Sequence, residues 1–124
     1  MIKIFYLGVA GFIGTLARYF LQGAVQQLWG SGFPYGTLVV NVVGCFLLGL
    51  LNGLFTGRYL IDPLWRNSLT IGFCGAFTTF STFAYETHQL VSTREVLLAS
   101  GNVVLSLLLG FFFLWLGIVV SRVL

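Results

Sequence analysis

The residues with the most chemical content stand together in GAFTTFSTFAYE, Gly75 to Glu86, where Phe77, Phe80 and Phe83 recur at every third position and Thr78, Thr79, Ser81 and Thr82 fill the gaps. A half-buried strand would alternate with period two, whereas spacings of three and four put side chains on one helical face, so the run is predicted to be helical. Its hydroxyls both donate and accept hydrogen bonds. A phenylalanine ring carries partial positive charge at its edge, so a ring turned edge-on can stabilise a small anion without strong competing hydrogen bonds. Hydroxyls and ring edges together read as an anion path. A plainer reading stays open beside it: phenylalanine is also a lipid-facing residue, and hydroxyls in apolar helices commonly bond back to their own backbone.

Gly72 and Gly75 lie where the hydroxyls begin. Glycines at membrane depth often mark a broken helix whose freed backbone groups must find partners, and the break is expected at these two residues. A break offers carbonyl oxygens, suited to a hard cation, on one side and amide donors, suited to an anion, on the other.

The elements that must position these residues follow from composition. The 124 residues are 58% hydrophobic and only 7% charged, against roughly 25% charged in a soluble domain. This is the composition of a membrane protein, and the length suits one domain, 1–124. The cations Lys3, Arg18, Arg58, Arg66, Arg94 and Arg122 are scattered singly and form no basic patch, which argues against a nucleic-acid partner. Spanning a bilayer takes about 20 mostly apolar residues, and four such runs are predicted: Ile4 to Leu21, Leu38 to Phe55, Leu69 to Leu90 and Val96 to Ile118. Apolar character does not give way to a polar chain after the first run, so that run reads as a retained span rather than a cleaved signal. The connection WGSGFPYG carries Trp29 and Tyr35, and TGRYLIDPLWR carries Tyr59 and Trp65, aromatics suited to the headgroup level. STRE, Ser92 to Glu95, reads as a tight turn. The result is an up-and-down bundle with both termini on one side. Lys3, Arg58, Arg66 and Arg122 against Arg94 favour that side being cytoplasmic, with Arg18, near the far end of its run, weakening the bias.

Other polar residues within the runs need a reason to be there. Asn41 and Asn52 lie on nearly one face of the second helix and could be glue between helices. Ala99, Asn102, Ser106 and Gly110 form a small or polar stripe on the fourth helix that must face protein or water. Arg18 could snorkel to the interface or attract anions. Glu86 is in reach of Thr82, and His88 has no second His or Cys at metal spacing. Cys45 and Cys74 sit in apolar runs as small hydrophobes. Gly8, Gly11 and Thr15 on the first helix, and GLLNG (Gly49 to Gly53) on the second, allow close helix approach, either inside the subunit or at a dimer seam. Four helices enclose little space, so a transport role favours an oligomer.

At GAFTTFSTF, preceded by PYGTLVVNVVG (Pro34 to Gly44), the chain resembles the Fluc or CrcB family of small bacterial fluoride channels. The resemblance covers essentially the whole chain, including the four spans and the early Arg18. It implies an all-α membrane protein of the cell inner (plasma) membrane with four transmembrane helices, the third broken near its centre, assembled as an antiparallel dual-topology homodimer. It further implies two fluoride pores and a structural sodium ion (Na+) at the dimer interface, held by the backbone carbonyls of Gly75 and Thr78. Phe80 and Phe83 would turn ring edges to fluoride and Asn41 would offer its amide as a donor. Thr79, Ser81 and Thr82 would supply hydroxyls near the path, and Asn102 and Ser106 fit a polar track on the fourth helix, where Gly110 departs from it.

The function expected is passive, fluoride-selective export from the cytoplasm, conferring fluoride resistance. The alternative is a proton-coupled exporter like the small multidrug resistance transporters, which depend on a carboxylate in the first helix; here Glu86 is the one candidate. A non-transporting structural subunit would leave Asn41 and the Thr-Phe-Ser-Thr-Phe run without purpose. An enzyme is disfavoured, since no base and nucleophile fall in one site.

Overall fold

The computed structural model of the chain describes residues 1–57 and 60–124, so Arg58 and the expected interfacial Tyr59 lie outside the described residues. Its elements are α1 (Ile2–Trp29), α2 (Tyr35–Gly57), α3 (Pro63–Asn67), a π-helical segment Ser68–Cys74, α4 (Gly75–Phe77), α5 (Phe80–Ser92) and α6 (Val96–Val123). Three helices, α1, α2 and α6, are each long and apolar enough to cross a membrane. The remaining span is the composite running from α3 to α5, so the protein is a multi-pass, all-helical membrane protein whose third span is broken.

Hydropathy foresaw the spans but not their ends. Helix α1 continues two turns past Leu21 through Gln22, Gln26 and Gln27. At 1.5 Å per residue its 28 residues reach about 42 Å, beyond the ~30 Å hydrocarbon core; hydropathy marks where a helix leaves lipid, not where it stops. Arg18 therefore lies about three turns before the end of α1 rather than near it, half-buried.

Local chemistry sets the other boundaries. Asp62 caps α3 by accepting the Leu64 N–H at 2.7 Å, with Pro63 at the first helical position, where its missing N–H costs nothing. The expected turn between α5 and α6 closes through Arg94 N–H to the Val91 carbonyl at 3.0 Å and Glu95 N–H to the Leu90 carbonyl at 2.9 Å. Arg94 takes the left-handed conformation there, φ 64°, the position glycine usually fills. Aromatic pairs mark the two ends of the bundle, Trp29 on Tyr35 at 5.5 Å and Tyr6 on Trp65 at 5.3 Å between centroids, consistent with interfacial belts.

Packing rests on glycine. A Cβ at Gly49 would overlap the Leu114 carbonyl, one at Gly53 the Ser121 hydroxyl and one at Gly117 the Phe46 carbonyl, so α2 and α6 meet backbone to backbone. GLLNG is thus an intramolecular seam. On the other side α1 lies as close to the π-helical segment: Gly14 faces the Phe73 carbonyl, and a Cβ on Gly72 would stand 2.9 Å from the Leu7 carbonyl. Gly11 also points at this segment, whereas Gly8 faces open space.

Candidate functional site

The helix break does not fall at the glycines. Gly75 is ordinary right-handed helix, φ −64° and ψ −37°, and Gly72 serves the close approach to α1. The chain opens instead at the two threonines, with Thr78 at φ −86°, ψ 158° and Thr79 at φ −149°, ψ 109°, both extended. Extended backbone is accessible to any residue, so threonines can make the break provided their peptide groups find partners.

Those partners are found on α2 and within the break. Asn41 reaches across to Thr79 with both ends of its amide: Nδ2 donates to the Thr79 carbonyl at 3.0 Å, and Oδ1 accepts the Thr79 N–H at 2.8 Å. One turn along the same face, Gly44 leaves room for the Thr78 methyl, which a Cβ at 44 would overlap. The Thr79 hydroxyl caps α5, accepting the Thr82 N–H at 3.2 Å and donating to the Thr82 hydroxyl at 2.8 Å, with Ser81 Oγ at 3.4 Å. Thr78 bonds back to the Cys74 carbonyl through both N–H and hydroxyl, each at 3.0 Å.

The carbonyls of Gly75 and Thr78 are among those that lose their helical donors at the break. In a continuous helix Gly75 C=O would accept from Thr79 N–H and Thr78 C=O from Thr82 N–H. The first of these donors is spent on Asn41 and the second on the Thr79 hydroxyl. Gly75 is exposed, with open space where a Cβ would be, and Thr78 is half-buried. Both line a groove of about 270 Å³ shared with Asn41, Gly44, Cys45, Cys74 and Phe80. Bare carbonyl oxygens fit a hard cation. Among the described residues no group of three His, Cys, Asp or Glu is arranged to hold a metal.

Phe80 opens the second half of the span with 79% of its surface exposed. Its ring lies 5.6 Å from that of half-buried Phe83, tilted by 48°. Ser81 is exposed beside them and Thr82 half-buried. The break thus brings together Asn41, Gly75, Thr78, Thr79, Phe80, Ser81, Thr82 and Phe83.

The fourth-helix stripe stands elsewhere. Asn102, 1% exposed, donates to the Thr87 hydroxyl at 2.9 Å and so ties α6 to α5, while Ser106 a turn later is half-buried and Gly110 faces Cys45. Glu86 meets Thr37 rather than Thr82: the Thr37 hydroxyl donates to Glu86 Oε1 at 2.9 Å and accepts from Gln22 Nε2 at 3.1 Å. Glu86 Oε2 is buried with no hydrogen-bond partner among the described residues. This chain of groups borders a wider cavity of about 820 Å³ where α1, the α1–α2 connection and the end of α5 meet. His88 is exposed near Ser92, and both cysteines are free thiols. Residue types alone pointed to Asn41 but not to Thr37, Gln22 or Gly44; the only sequence signal for these was polarity or smallness inside an apolar run.

Three unbroken apolar helices and a third span opened at mid-length between them, with hydroxyls and the exposed Phe80 ring at the opening, define a polytopic membrane protein built around a broken helix. The family described as CrcB-like protein, Camphor Resistance (CrcB), matches residues 5–118, and the chain belongs to that family. It is 47% identical over 124 residues, the full length of both chains, to the fluoride-specific ion channel FluC of Geotalea uraniireducens (strain Rf4). Proteins of the same name from Geotalea daltonii (strain DSM 22248 / JCM 15807 / FRC-32) and Geobacter metallireducens (strain ATCC 53774 / DSM 7210 / GS-15) are 46% and 48% identical, each over 122 residues and 98% of both chains. All three names describe ion channels, not enzymes.

Proposed function

We propose that this chain is the subunit of a passive fluoride channel of the plasma membrane, through which fluoride leaves a cytoplasm that neutral hydrogen fluoride has entered and in which it has dissociated. The observation that carries the reading is the break itself, where exposed Phe80 stands beside Phe83, Ser81 and Thr82. Ring edges and hydroxyls stabilise a dehydrated small anion without a full charge that would trap it. An amide nitrogen carries two hydrogens, and Asn41 spends one on the Thr79 carbonyl; the other is its contribution to the anion. Relatives named as fluoride-specific channels over the whole length support the substrate.

The working unit in this reading is an antiparallel homodimer. A lone subunit would present Gly75, Ser81 and the undonated carbonyls to lipid, where unsatisfied polar groups cost several kcal/mol each. A second copy laid over the groove covers them. Gly75 and Thr78 carbonyls from both subunits would hold a sodium ion, whose charge offsets the converging carbonyl dipoles; the fluoride path is formed by the side chains alone. Half-buried Ser106 would extend the polar lining along α6, whereas Asn102, buried and bonded to Thr87, ties α6 to α5 instead.

Fluoride efflux from liposomes containing only the purified protein tests the function. Release driven by the fluoride gradient, with chloride-loaded vesicles staying tight, is the expected result. Loss of transport in Glu86→Gln together with dependence on a proton gradient would instead establish a coupled exporter.

A further inference from the structure

We infer that Asn41 is a positioning residue for the cation site, acting through the Thr79 peptide, in addition to lending a hydrogen to the anion. The inference rests on the reading of Gly75 as a cation ligand. A helix carbonyl cannot serve a cation well while it accepts its own helical N–H, because donor and cation compete for the same lone pairs. For Gly75 the competing donor is Thr79 N–H, and Asn41 Oδ1 removes it at 2.8 Å. The return bond, Nδ2 to the Thr79 carbonyl at 3.0 Å, holds the following peptide group, so that Asn41 grips the backbone on both sides of the Thr79 Cα and keeps the residue extended.

The clamp is sequestered enough to be specific. Thr79 is 6% exposed, Thr78 packs its methyl into the space left by Gly44, and the Thr79 hydroxyl is already committed to capping α5. No other side chain bonds the Thr79 peptide among the described residues. Asn41 is therefore the link by which α2 holds the third span open, and its removal lets Thr79 N–H close on Gly75. Asn52, the other intramembrane asparagine of α2, makes no side-chain hydrogen bond among the described residues and supplies a control.

Two measurements on the purified full-length protein decide the matter: the sodium concentration that half-shifts its thermal midpoint, and the Gly75 carbonyl carbon resonance. Labelling glycine carbonyls and alanine amide nitrogens singles out the two Gly-Ala pairs, 23–24 and 75–76. Asn41→Leu keeps the bulk and deletes both bonds; Asn41→Asp keeps an acceptor for Thr79 N–H. We expect Asn41→Leu to raise the sodium midpoint about tenfold or more, the loss of roughly one charge-assisted contact. Its Gly75 carbonyl should move toward the hydrogen-bonded helical range in sodium-free buffer. Asn41→Asp and Asn52→Leu should show a sodium midpoint no higher than wild type. Wild-type values for both readouts in Asn41→Leu would overturn the inference, as would an unmoved sodium midpoint alone. Should Asn41→Leu fail to fold, a raised midpoint in Asn41→Asp overturns it and an unraised one supports it. Wild-type protein indifferent to sodium would remove the cation reading, and the Gly75 resonance then decides the clamp by itself.

Discussion

Helix α2 meets α6 and the broken third span in opposite ways. Toward α6 it presents Gly49 and Gly53 to the Leu114 carbonyl and the Ser121 hydroxyl, a close contact with no space for a methyl group at either glycine. Toward the third span it presents Asn41 and Gly44, and the contact is a side chain bonded to an opened backbone. The first contact gains dispersion energy from close approach and needs no specific chemistry. The second holds two threonines out of helical conformation and so leaves the Gly75 and Thr78 carbonyls without donors. One helix thereby separates the surface that makes the subunit from the surface that makes the site, and mutations on the two should fail in different ways.

The largest effect is expected at the seam. Gly49→Val drives a branched side chain into the Leu114 carbonyl, and neither backbone can yield, so a loss of about 3 kcal/mol or more is expected. Size-exclusion chromatography should find little folded protein; a well-behaved peak would mean that the helices can separate and that the seam is less tight than drawn.

Asn41→Asp belongs to the other surface. An ionised carboxylate beside a narrow anion path repels its substrate, and a drop in fluoride flux of about a hundredfold in folded protein is expected. Flux at the wild-type rate in liposomes would place the path away from Asn41. Phe80→Ile keeps apolar bulk but removes the polarised ring edge, for a reduction near tenfold if that edge is worth about 1.4 kcal/mol. Equal conduction by the Ile variant would reduce Phe80, already 79% exposed in the subunit, to a packing residue.

Gly75→Val gives the sharpest contrast with Gly49→Val, because a Cβ at Gly75 meets nothing within the subunit and the backbone there is right-handed helix. The subunit should fold, since valine is a better helix former than glycine by a few tenths of a kcal/mol, and the damage should appear only as weakened self-association. Cross-linking yield at graded dilution reads this; an undiminished dimer would show that the Gly75 face is not covered by a second copy. The smallest effect lies far from both surfaces. Arg94→Gly relieves a left-handed non-glycine residue in the α5–α6 turn and should raise stability by about 0.5–1 kcal/mol without touching flux. An unchanged or lower denaturation midpoint would contradict that.

Much of this was present in the amino-acid order because its causes are local. Long apolar runs must be helices in lipid, since no other single-segment structure satisfies its own backbone. The concentration of threonine, serine and phenylalanine after Gly75 marked the third span as the one carrying the candidate site, and Gly75, Thr78, Thr79, Phe80, Ser81, Thr82 and Phe83 do stand together at the break. What residue types suggested wrongly was the agent of the break. Glycine was expected to open the helix because it tolerates unusual dihedrals, yet Gly72 is needed for its missing side chain against Leu7, and Gly75 is conformationally ordinary.

Tertiary structure alone decided which groups became partners. Asn41 and Thr79 are 38 residues apart and Thr37 and Glu86 are 49 apart, and nothing in either neighbourhood names the other. An asparagine in an apolar helix announces that some polar group must meet it, because leaving it unpaired is costly. It does not say which one, since a hydrogen bond depends on an approach of about 3 Å that only the packing of α2 against the broken span provides. The same holds for the glycines: smallness is written in the sequence, but whether it serves the α2–α6 seam, the methyl of Thr78 or an open face is settled by what stands opposite each one.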